Sequence, residues 1–207
     1  MKKLLAGLVT GLLMLGTAGV AKANLIVNGS FENPARTGNS WAVYTSIEGW
    51  ATTSGPGIEI QKNVAGASYD GVQHVELDSH GNSAMRQYID TVIGQSYNLT
   101  FAYSPRPGVS SGSNLIDVLW NTVSLTSGLG ITGTGAANTV WRIMNFTVIG
   151  TGSNLGDSLV FMATGNNDSL GGYIDAVSLT PVPDPATMLL FGSGLIGLAS
   201  ALRRKIR

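Results

Sequence analysis

Glu76 and Asp78 sit two residues apart in the alternating stretch Gly71-Val-Gln-His-Val-Glu-Leu-Asp78. On an extended strand that spacing puts both carboxyls on one face, roughly 7 Å apart at ~3.3 Å per residue. Such a pair has the reach of a glycosidase acid and base, and it reads equally as a solvated strand face. Gly108-Val-Ser-Ser-Gly112 has the outline of a nucleophile elbow. That motif requires a strand before it, a helix after it and a later His. Here His74 and His80 both precede Ser110, and the surroundings are Ser/Gly loop. Gly128-Leu-Gly-Ile-Thr-Gly133 has phosphate-cradling spacing, but no helical pattern follows to receive the phosphate. Neither His has the partners a zinc site requires. The expectation is a protein that is not an enzyme.

Aromatic side chains offer a different chemistry, because flat faces bind sugar rings. Trp41, Tyr44, Tyr69, Tyr103, Arg106 and Trp120 are available for such a site. Most aromatics of a β-sandwich belong to its core, and Trp50 and Trp141, the latter opening an apolar strand, are expected there. Tyr69 and Arg106 lie in Gly/Pro/Ser-rich loops and are the expected ligand-binding residues.

The elements that must carry these residues read as strands. Val72–Leu77 alternates, with Gln73, Val75 and Leu77 on one face and His74, Glu76 and Asp78 reaching the other. Tyr97–Tyr103 alternates as well, and Ile116–Trp120, Trp141–Ile149, Ser158–Ala163 and Tyr173–Leu179 are further strand candidates. Turn-rich stretches separate them at Ser104–Asn114, Ser127–Asn138, Gly150–Asp157 and Thr164–Gly172. Gly supplies 28 of 207 residues, about twice the usual ~7%, dispersed without a collagen period. No helical stripe appears between residues 24 and 180. The fold class predicted is all-β, an antiparallel β-sandwich.

Charge and cysteine content bound the partners. The formal net charge is zero over the whole chain, but residues 24–181 hold only Arg36, Lys62, Arg86, Arg106 and Arg142 against eleven acids. An acidic domain argues against nucleic acid and permits a hard cation. No Cys is present, so there is neither a disulfide framework nor a thiolate metal site.

Both ends read as targeting segments. Lys2 and Lys3, the apolar run Leu4–Val20 and the small-x-small Ala21-Lys22-Ala23 form a secretory leader over 1–23, cut by signal peptidase after Ala23; a retained N-terminal helix is the alternative. At the other end, Pro183-Asp184-Pro185 is followed by an uncharged run, Ala186–Leu202, and then by Arg203, Arg204, Lys205 and Arg207. As a helix that run would span about 25 Å at ~1.5 Å per residue, at the short end of what crosses a bilayer. The basic cluster would stay cytoplasmic, with everything before Pro183 outside.

The order of these three parts over residues 181–207 resembles the PEP-CTERM sorting signal of bacterial exported proteins. Here Asp184 stands where that family usually has Glu. The resemblance implies an exosortase-type enzyme cutting near Pro183–Pro185, transient anchoring in the inner membrane, and final release or attachment at the cell surface or in the extracellular matrix. A plain C-terminal anchor is the alternative.

A second resemblance covers residues 24–180. Asn24-Leu-Ile-Val-Asn-Gly-Ser-Phe-Glu32, Gly71–Asp78, Gln87–Tyr103 and Tyr173-Ile-Asp-Ala-Val-Ser-Leu179 resemble galactose-binding-like jelly-roll domains, including carbohydrate-binding modules. That likeness implies a structural calcium ion shared by Glu32, just after the first strand, and Asp175, in the last strand, with backbone carbonyls completing the shell. It also implies association with extracellular polysaccharide as the most economical function. A purely structural matrix or adhesion protein and, more remotely, a glycan hydrolase are the alternatives.

Overall fold

Alternating side chains become strands wherever one face of the segment can be buried. The computed structural model describes residues 23–183. The expected leader up to Lys22, with Ala21, lies outside the described residues, as do Asp184, Pro185 and the expected span 186–202. Twelve strands run through the described residues: β1 (Ser40–Tyr44), β2 (Ser46–Ile47), β3 (Trp50–Ser54), β4 (Ile58–Lys62), β5 (His74–Glu76), β6 (Ala84–Ile89), β7 (Ser96–Ser104), β8 (Ile116–Trp120), β9 (Val123–Ser124), β10 (Arg142–Ile149), β11 (Asp157–Ala163) and β12 (Tyr173–Pro181). No helix occurs among the described residues.

The strands form two six-stranded antiparallel sheets. The first has the order β1-β4-β5-β12-β7-β10, the second β2-β3-β6-β11-β8-β9. Residues 24–181 make one compact unit. The described residues therefore form an all-β antiparallel two-sheet sandwich, as their alternation predicts. Leu25–Val27 is not itself a strand, yet it lies against β12: Leu25 N donates to Leu179 O at 2.9 Å and Val177 N to Gly29 O at 2.9 Å. Gly29 permits that approach, since a Cβ there would stand 2.1 Å from Val177 O. A register shift in β12 between Asp175 and Ser178 separates the half that pairs with β5 from the half beside residues 24–29.

The core lies between the sheets. Ile58, Ile60, Val75, Leu77, Leu99, Phe101, Tyr103 and Ile174 come from the first sheet and the turn after β5. Trp50, Met85, Ile116, Val118, Leu159 and Phe161 come from the second. Phe161 bridges them, edge-on to Phe101 at 5.0 Å and tilted against Trp50 at 5.9 Å. Burying these aliphatic and aromatic side chains on both inner faces drives the two sheets together.

Strand registers define two ends of the sandwich. At the upper end β4 begins, β5 ends, β12 begins, β7 ends and β10 begins. At the lower end β12 ends at Pro181 opposite Tyr97, and β10 ends at Ile149 opposite Ser96.

Candidate functional site

The face of the first sheet that points away from the core is polar, and it is buried. Val75 and Ile60 enter the core, so their neighbours His74, Glu76, Glu59 and Gln61 face outward. The register aligns Glu59, Glu76, Tyr173 and Ser104 in one row across four strands, with Gln61 opposite His74 in the next. Exposure is 5% at Glu59, 1% at Gln61 and 0% at His74, Glu76, Tyr173 and Ser104. A sheet face bearing carboxylates normally meets water, so here something covers it.

Loops from both ends of the sheet provide the cover. The β4–β5 loop folds over the face and meets the segment before β10: Ala67 N donates to Thr139 Oγ1 at 3.2 Å, Thr139 Oγ1 donates to Ala67 O at 2.9 Å, and Trp141 Nε1 donates to the same carbonyl at 3.0 Å. The Trp141 ring lies edge-on to His74 at 5.8 Å and 6.4 Å from Tyr173. Tyr69, half exposed, stands edge-on to Trp141 at 6.2 Å. From the β7–β8 loop, Arg106 reaches in to pair with Glu76, its side chain only 19% exposed. The two ligand-binding residues expected from sequence thus arrive at one cluster from different loops.

Below these aromatics is a network of buried polar groups. Gln61 Nε2 donates to Glu59 Oε1 at 2.8 Å and also to Glu76 Oε2. Glu76 Oε2 accepts from Arg106 Nη1 as well, and Gly171 N donates to Glu76 Oε1 at 2.7 Å. Burial pushes the Glu76 carboxyl up to about 8 despite the opposing pull of Arg106, and it raises Glu59 too. Burial holds the His74 imidazole down to about 4, with the Arg106 charge acting the same way. Both His74 ring nitrogens, the Tyr173 hydroxyl and Gln61 Oε1 are buried without a hydrogen-bond partner. Buried polar atoms are ordinarily paired with protein, water or ligand, so this floor has free hydrogen-bonding capacity.

Several sequence expectations about single residues change. Trp141 is not a core residue; its ring belongs to the outer cluster because its parity along β10 matches Ser104 and not Tyr103. Trp120 and Tyr103, offered for sugar contact, are in the core, with Trp120 Nε1 bonded to Ile149 O at 2.9 Å and the Tyr103 hydroxyl to Asn114 O at 2.8 Å. Trp50 is in the core as expected, at 2% exposure. Tyr44 is half-buried and accepts from Arg36 Nη1 at 3.1 Å. Trp41 is 46% exposed, pairs with Gln61 across β1 and β4, and stands edge-on to His80 at 5.7 Å.

Glu76 and Asp78 are not a solvated pair. β5 ends at Glu76, and Asp78 turns into the loop beyond, where Asp168 N donates to its Oδ2 at 3.2 Å; both acids are 0% exposed. Gly108–Gly112 and Gly128–Gly133 lie in loops and turns. Glu59, Gln61, His74 and Tyr173 were not singled out as site residues by sequence. The alternation Ile58-Glu-Ile-Gln61 carried the signal, since polar residues interleaved with buried isoleucines mark a second face.

Glu32 and Asp175, the expected calcium residues, converge on one loop. Val72 N and Gln73 N donate to Glu32 Oε1 at 2.7 and 2.9 Å. Tyr69 N and Asp70 N donate to Asp175 Oδ2 at 2.8 and 2.9 Å, and Ala176 N donates to Oδ1 at 2.7 Å. Asp70 itself accepts from Ser30 Oγ at 2.6 Å. Burial pushes Asp175 up to about 7, against the pull of these amides and with the Asp70 charge adding to the rise. Among the described residues the one ion pair is Arg106–Glu76, so no basic side chain balances these carboxylates. Hard oxygen donors without a basic partner suit calcium in donor type and charge. No three acidic or histidine side chains form a ligand set among the described residues, so backbone carbonyls would have to complete the shell.

Comparison with known proteins adds destination and fold. The chain is 17% identical to the Stig cyclase Fisc from Fischerella sp. TAU, with a TM-score of 0.54, covering 79% of this chain and 99% of that one. It is 18% identical to a family 16 carbohydrate-binding module, with a TM-score of 0.49, covering 76% of this chain and 99% of that module. Among curated proteins it is 26% identical over 191 residues to halomucin of Haloquadratum walsbyi, across 86% of this chain. The chain spans 2% of the length of that relative. Residues 181–205 match the PEP-CTERM protein-sorting motif, a signal that implies export and cell-surface sorting.

Proposed function

We propose that this is an exported protein that associates, without catalysis, with extracellular polysaccharide through the outer face of its first sheet. The observation that carries this reading is the position of Trp141, flanked by Tyr69, against His74 and Tyr173, whose polar atoms have no partner. Aromatic faces with a few convergent polar groups are the recurrent composition of small-ligand sites. Trp41 extends the aromatic surface toward the β1 edge of the same face. Glu76, already accepting from Gln61, Arg106 and Gly171, serves as an anchor for the floor.

The sorting motif supports delivery: signal peptidase releases the N-terminus, the tail holds the chain in the inner membrane, and an exosortase-type enzyme cuts near Pro183–Pro185. Calcium, held by Glu32 and Asp175, would fasten the 68–73 loop that carries Tyr69. The test is binding of the purified protein to a panel of soluble and insoluble glycans, with Tyr69→Ala as control. Binding that weakens about tenfold in Tyr69→Ala, close to 1.4 kcal/mol, supports the assignment. Retained surface localisation with no glycan bound would favour a purely structural matrix protein.

A further inference from the structure

The lower end of the sandwich presents a cluster of bare apolar side chains. Val92 and Ile93, in the β6–β7 loop, are 65% and 78% exposed; Leu155, in the β10–β11 loop, is 78% exposed; Ile149, closing β10, is 51% exposed. The two loops are fastened to each other. Gly94 N donates to Gly150 O at 2.8 Å, Gly150 N donates to Gln95 O at 2.9 Å, and a Cβ on Gly152 would stand 3.1 Å from Ile93 Cβ. Ordered backbone therefore holds these side chains outward. Clustered apolar residues on loop tips mark an interaction surface.

The chain leaves the domain at this same end. β12 finishes at Pro181, opposite Tyr97 at the start of β7, and Leu25 is bonded to Leu179 nearby. The uncharged run Ala186–Leu202 opens five residues beyond Pro181. Five residues span at most about 18 Å of extended chain. A bilayer that holds this run must therefore lie within that reach of the lower end. Residues 88–95 and 149–157 include no Lys or Arg, and their acids are Asp90 and the fully buried Asp157. That composition fits the apolar zone of a lipid interface and offers nothing to anionic headgroups.

We propose that the Val92–Ile93 and Leu155 loops dock into the surface of the bilayer that holds the tail. This rests on the anchored-tail reading above. Docking there turns the upper end, with Arg106 and Trp141, away from the membrane.

The chain has no Cys, so single labelling sites can be introduced cleanly. Full-length Ile93→Cys, Leu155→Cys and Leu129→Cys, the last at a 76% exposed upper-end position, would each carry an environment-sensitive fluorophore. Each is reconstituted into phosphatidylethanolamine–phosphatidylglycerol vesicles. Labels at 93 and 155 are expected to shift to the blue, to be quenched by nitroxide lipids and to be several-fold less open to iodide than the label at 129. The same result is expected in phosphatidylcholine and at high salt. If the protein floats with the vesicles while labels at 93 and 155 remain as open to iodide as at 129, docking is overturned and anchoring stands. If those labels are shielded from iodide yet untouched by nitroxide lipid, another protein copy covers the loops and docking is overturned. If the protein does not float with the vesicles, the anchored-tail reading fails and docking fails with it.

Discussion

The His74 imidazole and the Tyr173 phenol lie 4.3 Å apart between ring centres on adjacent strands, and neither finds a hydrogen-bond partner for its polar atoms. Both are wholly buried on the side of the sheet away from the core. Two polar rings left unpaired beneath covering loops set this face apart from an ordinary, water-facing strand surface.

The titration of this face has a definite sign. His74, lowered by burial to about 4, weakens the fold as pH falls below its ordinary value, because only the unfolded chain takes up the proton readily. Glu76, raised by burial to about 8, acts oppositely: its contribution is complete at acid pH and is lost as pH rises toward 8. Between about pH 4.5 and 6.5 the two oppose each other. Above that range Glu76 still changes, and Asp175, raised by burial to about 7, changes in the same direction up to that pH. Melting temperature is therefore expected to fall from pH 6.5 to pH 8.5 in thermal scans. Glu76→Gln should flatten that slope, because the amide cannot ionise and stays uncharged as the folded-state carboxyl does below about pH 8. An unchanged slope in the variant would show that Glu76 is ionised in the folded protein throughout.

Calcium removal tests the second carboxylate cluster. EGTA should lower the melting temperature of the wild-type protein, and added calcium should restore it. Glu32→Gln and Asp175→Asn should abolish that response. Gly71→Ala should resemble them, since its Cβ would stand 2.3 Å from Glu32 Oε1 at a position with φ of +62°; the left-handed backbone alone costs about 1–2 kcal/mol for a non-glycine residue. A melting temperature indifferent to EGTA would mean that backbone amides alone hold the 68–73 loop.

Processing at both ends is read by the intact mass of the mature protein. The expected product begins at Asn24 and ends near Pro183. Recovery of the chain from the cytosol with Met1 and Arg207 in place would contradict export altogether.

The sequence made the longer strands legible because they alternate and end in turn residues. Ser96–Ser104 and Asp157–Ala163 extend the expected segments by a residue or two. The strands it left unmarked have physical reasons for silence. Ala84-Met-Arg-Gln-Tyr-Ile89 has little β-branched content, and its arginine lies on the outer side of the second sheet. Ser46–Ile47 and Val123–Ser124 are only two residues long. At the site, Tyr69 and Arg106 were legible from loop composition. Their convergence with His74 and Tyr173 was not, because it depends on the β4–β5 loop folding over the sheet through Ala67 and Thr139. Trp141 misled for a related reason: an aromatic that opens an apolar strand reads as core until the register fixes its face.

The four tryptophans permit the most direct test of the central claim. Trp41 and Trp141 belong to the outer face of the first sheet, while Trp50 and Trp120 belong to the core. In a two-dimensional NMR spectrum of the nitrogen-labelled protein each indole N–H gives its own signal. Titration with oligosaccharides from the matrix of the producing cells should shift the signals of Trp41 and Trp141 and leave those of Trp50 and Trp120 in place. Four unmoved signals at saturating oligosaccharide would contradict polysaccharide binding at this face.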